Sequence, residues 1–374
     1  MLTRRILALI GLAMFSCAAG RAQGPSDEKT RQILADRITK EDLGIGMVVG
    51  VVDASGRRII AYGSLAKDNS RRVDGDTVFD IGSITKEITS LLLTDMARRG
   101  EVRLTDPVSM YLPKGVKMPE RNGRKITLAD LSTHSSGLPR MPSNFKPKDD
   151  SNPYADYTVE QLYEFLSGYQ LTRDIGSQYE YSNLAYGLLG HVLALRAGMS
   201  YEALVQSRIA DPLGMSSTGM TLKPEMRPRF AVGHDRTLAP VPNWDIPTLS
   251  GAGALRSTAN DMLTFLAANL GLIKTPLAEA LANQLSVRRP SDGPGFEVGY
   301  GWRIQTKHGS TIVWHGGSTG GYRCYIGFDP KARVGVIILS NVQVPFVDDL
   351  GPYLLNQNYE LKYPYWTGPP FGGK

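Results

Sequence analysis

Cysteine is nearly absent from this 374-residue chain, which has only Cys17 and Cys324. That excludes a disulfide scaffold and any cysteine-rich metal module. Histidine is scarce as well: His134, His191, His234, His308 and His315 are the five, and none stands in the spacing of a zinc hydrolase. No run of lysine and arginine and no aromatic-basic patch points to nucleic acid. No apolar stretch reaches the roughly 20 residues of a membrane-spanning helix. The rest is ordinary globular material, with 42% hydrophobic and 21% charged residues, and it is long enough to bury a large core.

The formal charge of +6 leans on the N-terminus. Arg4-Arg5, an apolar core from Ile6 to Phe15 and the small-x-small site Gly20-Arg21-Ala22 read as a secretory signal over residues 1–22. Its removal takes three arginines and no acid, which halves the excess. Cys17 raises lipid attachment as an alternative, although Met14-Phe15-Ser16 is a poor sequence for it. A periplasmic or secreted protein is expected. Cys324, in an apparent strand, reads as a buried small side chain.

Asp27 to Asp42 has helical composition; Gly46–Asp53 and Arg58–Gly63 read as strands joined by a turn at Ala54-Ser55-Gly56. The middle reads as mainly helical, most clearly at Val159–Gly168, Leu184–Ala197, Tyr201–Ile209 and Ala259–Leu270. Strand patterns return at Gly299–Thr306, Ser310–Trp314, Tyr322–Phe328 and Val334–Leu339, before a last helix over about 346–358. The expected fold class is α/β: an antiparallel sheet built from both chain ends and flanked by helices, plus an inserted helical lobe. The sheet lobe covers about 25–105 and 290–358, the helical lobe about 106–289, within a domain at 23–345 followed by a tail at 359–374. Two irregular loops, Arg140–Tyr157 and the proline-rich Lys223–Thr248, are candidate walls of a cleft between the lobes.

Ser83-Ile84-Thr85-Lys86 carries the chemistry. Thr77–Ile81 is β-branched and aromatic, Gly82 breaks it, and a mostly buried helix follows. Residues i and i+3 share a helix face, so the Ser83 hydroxyl and the Lys86 amine fall within reach of each other. A serine hydroxyl needs a group that accepts its proton. Lysine serves only if its pKa drops from about 10.4 to about 7, roughly 4.6 kcal/mol of differential interaction, which full burial can supply. The bland reading, a capping serine and a solvated lysine, is common for this spacing alone.

Two further stretches belong with it. In Tyr181-Ser182-Asn183 a phenol and an amide alternate, so both can face one side just before a helix. A phenol near a cation can act as a general base, and an amide can orient a carbonyl. Alone, the tripeptide is simply a helix cap. His315-Gly316-Gly317-Ser318 follows an expected strand end at Trp314. Glycines there permit close backbone approach, and an N–H there together with that of Ser83 can hold an oxyanion. The competing reading is a glycine-rich hairpin turn.

In this order the three motifs resemble the serine β-lactamase and penicillin-binding superfamily, in particular the branch of class C β-lactamases, D-Ala-D-Ala carboxypeptidases and family VIII esterases. Ile126–Pro139, Pro212–Met215, Leu255–Met262, Gly327–Pro330 and Val336–Asn341 look like the same branch, so the likeness spans roughly residues 30–345. The resemblance implies a β-lactamase/transpeptidase-like fold. It makes Ser83 the acylated nucleophile, with Lys86 and Tyr181 sharing proton transfer in an unassigned order. Asn183 would contact the substrate amide; His315 and Gly317 would border the substrate, and Ser318 would add a second oxyanion N–H. No metal or cofactor is implied. The substrate would be a β-lactam or a D-Ala-containing cell-wall peptide, with ester hydrolysis as the alternative and a non-catalytic penicillin or peptidoglycan binder as the second. Nothing specifies an oligomeric state.

One departure stands out. Class C enzymes usually carry Lys-Thr-Gly where this chain has His315-Gly316-Gly317, and that lysine helps hold a substrate carboxylate. A histidine is mostly neutral at pH 7. Gly316–Gly320 also spells Gly-x-Ser-x-Gly, the α/β-hydrolase elbow. That motif requires a following helix and a later histidine, and here a strand pattern follows and every histidine precedes Ser318. His134 and His191 read as structural.

Overall fold

Met47, Val49 and Val51 point to one face of a central strand and Val48 and Val52 to the other, and both faces are buried. This is strand β1 (Gly46–Asp53), whose near-continuous apolar run suits a strand covered on two sides. The computed structural model describes residues 24–362. The expected signal, its Cys17 and the end of the tail lie outside them.

Chain order continues with β2 (Gly56–Ala66), β3 (Asn69–Arg72), β4 (Val78–Asp80), β5 (Glu120–Arg121), β6 (Arg124–Lys125), β7 (Arg256–Thr258), β8 (Arg289–Pro290), β9 (Phe296–Val298), β10 (Arg303–Lys307), β11 (Ser310–Ser318), β12 (Arg323–Asp329) and β13 (Val334–Ser340). Nine of these form one sheet in the order β3-β2-β1-β13-β12-β11-β10-β9-β8, antiparallel throughout. The two ends of the chain meet where β1 pairs with β13, Met47 opposite Ser340 and Val51 opposite Val336.

Helices Asp27–Thr39 and Val347–Leu355 cover one face of the sheet. They are tied together by Arg37, whose guanidinium meets both carboxylate oxygens of Asp349 at 3.0 Å. Helix Ala259–Asn269 covers the other face, lying on β1 and β13. Gly50 is the contact point: a Cβ there would stand 2.9 Å from the Leu263 side chain. Beneath lies helix Thr85–Arg98, buried at every position from Thr85 to Met96. That places Lys86 and Glu87 inside the protein.

Several element ends differ from the sequence expectations. β11 runs through His315 and both glycines to Ser318, four residues past Trp314. The glycines stay extended because β12 pairs with them, Gly317 opposite Cys324. β10 begins at Arg303, since Gly301 takes φ +89° against the Glu87 carboxylate and turns the chain. The short β8–β9 hairpin showed no strand pattern in the sequence. The middle of the chain holds short helices separated by long loops, with helix Asn183–Ala197 at its centre.

Candidate active site

Gly82 makes the turn that presents Ser83. Its φ of +49° favours glycine, and a Cβ there would stand 2.6 Å from the Ser318 backbone nitrogen. The turn continues as a short 3₁₀ segment, Gly82–Ile84, into helix Thr85–Arg98. From the opposite side, Gly317 lies so close that an added Cβ would meet the Ile81 carbonyl oxygen at 2.1 Å. Gly317 is therefore required by protein packing, and Ser318 in β11 is brought against the Ser83 turn.

The Ser83 hydroxyl has two polar neighbours. Lys86 Nζ is 3.0 Å from Oγ, and the Tyr181 hydroxyl donates to it at 2.8 Å. Lys86 is fully buried, and its amine also donates to Asn183 Oδ1 at 3.0 Å and to the Ala252 carbonyl at 2.6 Å. Burial drives the Lys86 pKa well below its usual value, and the Arg140 charge adds to this. A neutral amine has two N–H donors and one lone pair. Two carbonyl oxygens take the donors, and the lone pair is left for the Ser83 O–H.

Tyr181 is held by its surroundings. His134 has φ +53° and accepts from Ser182 N at 3.0 Å through Nδ1, and its ring lies 4.6 Å from the Tyr181 ring. Lys86 Nζ sits 4.9 Å from the centre of the phenol ring, and Arg140 Cζ 5.1 Å. Desolvation raises the Tyr181 pKa, only partly opposed by the Ser83 hydrogen bond and by Arg140. At rest it is a protonated phenol.

His315 and Ser318 lie on β11 and line the same cleft as Ser83, Tyr181 and Asn183, a space of about 760 Å³. Burial pushes the His315 pKa well below that of a free imidazole. His191 stands apart and pairs with the Tyr163 hydroxyl at 2.7 Å. Cys324 is buried, its thiol pushed up to about 12 by desolvation. Among the described residues, no group of three or more His, Cys, Asp or Glu could hold a metal ion.

The two irregular loops do meet the cleft. Tyr154 accepts from Asn183 Nδ2 at 3.2 Å, and its ring is 5.4 Å from that of Trp244 in the second loop. Asn152 and Asp245 join the loops through two hydrogen bonds, at 2.9 and 2.7 Å. Sequence reasoning flagged these loops as possible walls but named none of Arg140, Tyr154 or Trp244. The single available signal was an arginine and two aromatics within proline-rich segments.

A family model, Beta-lactamase, matches residues 35–358. The chain belongs to the β-lactamase family. Among its relatives is the D-alanyl-D-alanine-carboxypeptidase/endopeptidase AmpH of Escherichia coli, 32% identical over 82% of this chain and 81% of that protein. A human protein described as putative beta-lactamase-like 1 is 30% identical over 77% of this chain and 58% of its own length. Among solved structures, the class C β-lactamase of Rhodobacter sphaeroides superposes with a TM-score of 0.73 at 27% identity, over 85% of this chain and 95% of its own. The β-lactamase/D-alanine carboxypeptidase of Yersinia pestis gives 0.75 at 26%, covering 89% and 98%. The nine-stranded antiparallel sheet with helices on both faces is thus the fold of this β-lactamase family member.

Proposed function

We propose that the protein hydrolyses β-lactams or D-Ala-containing cell-wall peptides through an ester on Ser83. It is a serine hydrolase of the β-lactamase and DD-peptidase type. The surroundings of Lys86 carry the reading: its buried amine lies 3.0 Å from Ser83 Oγ with its pKa driven well down. In the neutral form, with Asn183 Oδ1 and the Ala252 carbonyl taking its two N–H groups, its lone pair is free for the Ser83 proton. The name of the AmpH relative supports the cell-wall peptide, and the named β-lactamases support the lactam.

From the contacts around Ser83 we infer an order for the proton transfers. Ser83 Oγ attacks the carbonyl carbon as its proton passes to Lys86 Nζ. The oxyanion would be received by the Ser83 and Ser318 backbone N–H groups, a pairing that the close approach of Gly82 to Ser318 supports. The Tyr181 hydroxyl, already protonated, gives its proton to the leaving nitrogen, and the phenolate so formed takes back the proton held by Lys86, whose amine lies 4.9 Å from the centre of the phenol ring. In deacylation the neutral Lys86 amine accepts a proton from the attacking water and returns it to Ser83 Oγ as the ester C–O bond to the acyl carbon breaks. Asn183 holds Lys86 with its oxygen and presents its amide to the substrate.

Ester hydrolysis is the second reading, favoured by one observation. His315 is buried and neutral where the usual lysine would offer a carboxylate a charge. We further propose export to the periplasm or outside the cell, on the basic and apolar start of the sequence. No helix among the described residues is long and apolar enough to cross a membrane. The test of the substrate class is hydrolysis of an N-acyl-D-Ala-D-Ala peptide, a cephalosporin and a p-nitrophenyl ester by wild type and Ser83→Ala. Turnover of peptide or cephalosporin that Ser83→Ala abolishes is expected. Turnover of the ester alone would move the protein to the esterases.

A further inference from the structure

Four arginines line the cleft, and they divide into two kinds. Arg303 is paired with Asp292 and Arg323 with Asp348, so their charges are matched within the protein. Arg140 and Arg236 have no carboxylate partner among the described residues. Arg236 is exposed, whereas Arg140 is half-buried within the catalytic group itself.

The position of Arg140 is fixed. Its carbonyl accepts from Asn183 N at 3.0 Å and Leu184 N at 3.1 Å, which locks its backbone to the first turn of helix Asn183–Ala197. Its guanidinium lies over the face of the Tyr181 ring. The charge acts on its neighbours: it helps hold the Lys86 and Tyr181 pKa values down. A half-buried guanidinium with its N–H donors facing a cleft and no acid beside it is incomplete until an anion arrives. The planar fork suits a carboxylate bound through two parallel N–H···O bonds.

We propose that Arg140 is a specificity-determining residue that receives a carboxylate carried by the acyl half of the substrate, the half that stays on Ser83. This rests on the acyl-serine reading above. The assignment to the acyl half follows from position. Arg140 is tied through its backbone to Asn183, beside Tyr181 and off β11, and Asn183 is the residue that the family resemblance sets against the substrate amide. Buried, neutral His315 cannot supply this charge from the β11 side. The enzyme therefore selects acyl groups with a free carboxylate, as in an acidic peptide side chain or a C-terminal-like branch.

The test keeps the leaving group constant and changes only the charge of the acyl half. The two substrates are mono-p-nitrophenyl adipate and its methyl ester, assayed with wild type, Arg140→Gln and Arg140→Lys. The readout is the ratio of kcat/KM for the anionic ester to that for the neutral one. It is insensitive to the amount of folded enzyme and to any equal effect on Tyr181. Wild type should favour the anion, Arg140→Gln should lower the ratio about tenfold, the scale of one charge-assisted contact, and Arg140→Lys should fall between. An unchanged ratio in a variant that hydrolyses both esters would overturn the proposal. If wild type hydrolyses neither ester and Ser83 is never acylated, the acyl-serine reading fails and takes this one with it.

Discussion

Glu87 and His315 face each other inside the protein, with Nε2 of the histidine 3.9 Å from a carboxyl oxygen of the glutamate. Among the described residues, neither Glu87 carboxyl oxygen nor His315 Nε2 has a hydrogen-bond partner. His315 Nδ1 lies 2.7 Å from the Gly316 carbonyl and donates to it, which leaves Nε2 as the acceptor turned toward Glu87. Burial raises the Glu87 pKa well above, and lowers that of His315 well below, the usual values. The pair is a carboxylic acid beside a neutral imidazole.

Stability should follow from this pair with a definite sign. The unfolded chain ionises Glu87 above its ordinary pKa of 4.5 while the folded protein keeps the proton, so Glu87 lowers stability as pH rises from there. For His315 the unfolded chain binds a proton below 6.5 and the folded protein does not, so stability also falls as pH drops. Glu87→Gln removes the first effect alone. Its Tm relative to wild type should therefore be higher at pH 8 than at pH 5. The opposite trend in calorimetry would mean that Glu87 and His315 form an ion pair.

The pH dependence of kcat/KM should report Lys86. The amine works only when neutral, so activity falls on the acid side through a pKa well below 10.5. Tyr181→Phe should lower kcat by about 10²–10⁴-fold, the usual weight of a general acid, while keeping the acid limb in place. An acid limb that vanishes with the phenol would make Tyr181 the resting base.

Gly317→Ala tests how β11 positions the site. The new Cβ must push the Ile81 carbonyl, and with it the Ser83 turn, by about an ångström. Displacement on that scale can cost about 10² in rate. The expected variant folds, as read by circular dichroism, but acylates slowly. Wild-type rates would show that the turn is free to move.

The two ends of the chain are joined by Arg37 and Asp349, an arginine 1% exposed whose one terminal nitrogen meets both carboxylate oxygens while the other donates to the Phe346 carbonyl. Asp349→Ala takes the bidentate carboxylate from a buried arginine and should cost about 3–5 kcal/mol in urea unfolding. A loss within the scale of a surface pair, about 1 kcal/mol or less, would mean water reaches Arg37.

Ser83 and Lys86 were legible because i and i+3 spacing on a helix is a local property. The strand and helix patterns at both chain ends were legible for the same reason, and the family fold with its antiparallel sheet followed from their order. Tyr181, Asn183 and His315 were weak candidates on their own residues, each with a bland alternative, and only the likeness to a family joined them to Ser83. The strand character of His315–Ser318 was hidden because glycine carries no strand pattern, and only pairing with β12 and the Ile81 contact make it extended. Glu87 was visible as part of a buried helix, yet its partner was 228 positions away on β11. Arg140, Tyr154 and Trp244 lie on loops, where no periodicity links residues that meet in space.

The most direct test of the central claim is intact-mass spectrometry of the protein and its Ser83→Ala variant, sampled over time with a chromogenic cephalosporin and a p-nitrophenyl ester. The account predicts a covalent acyl adduct on the wild type that the variant never forms. It is transient if the substrate turns over and persistent if it blocks a peptidase. A wild type that hydrolyses either compound without a Ser83-dependent adduct would contradict the account.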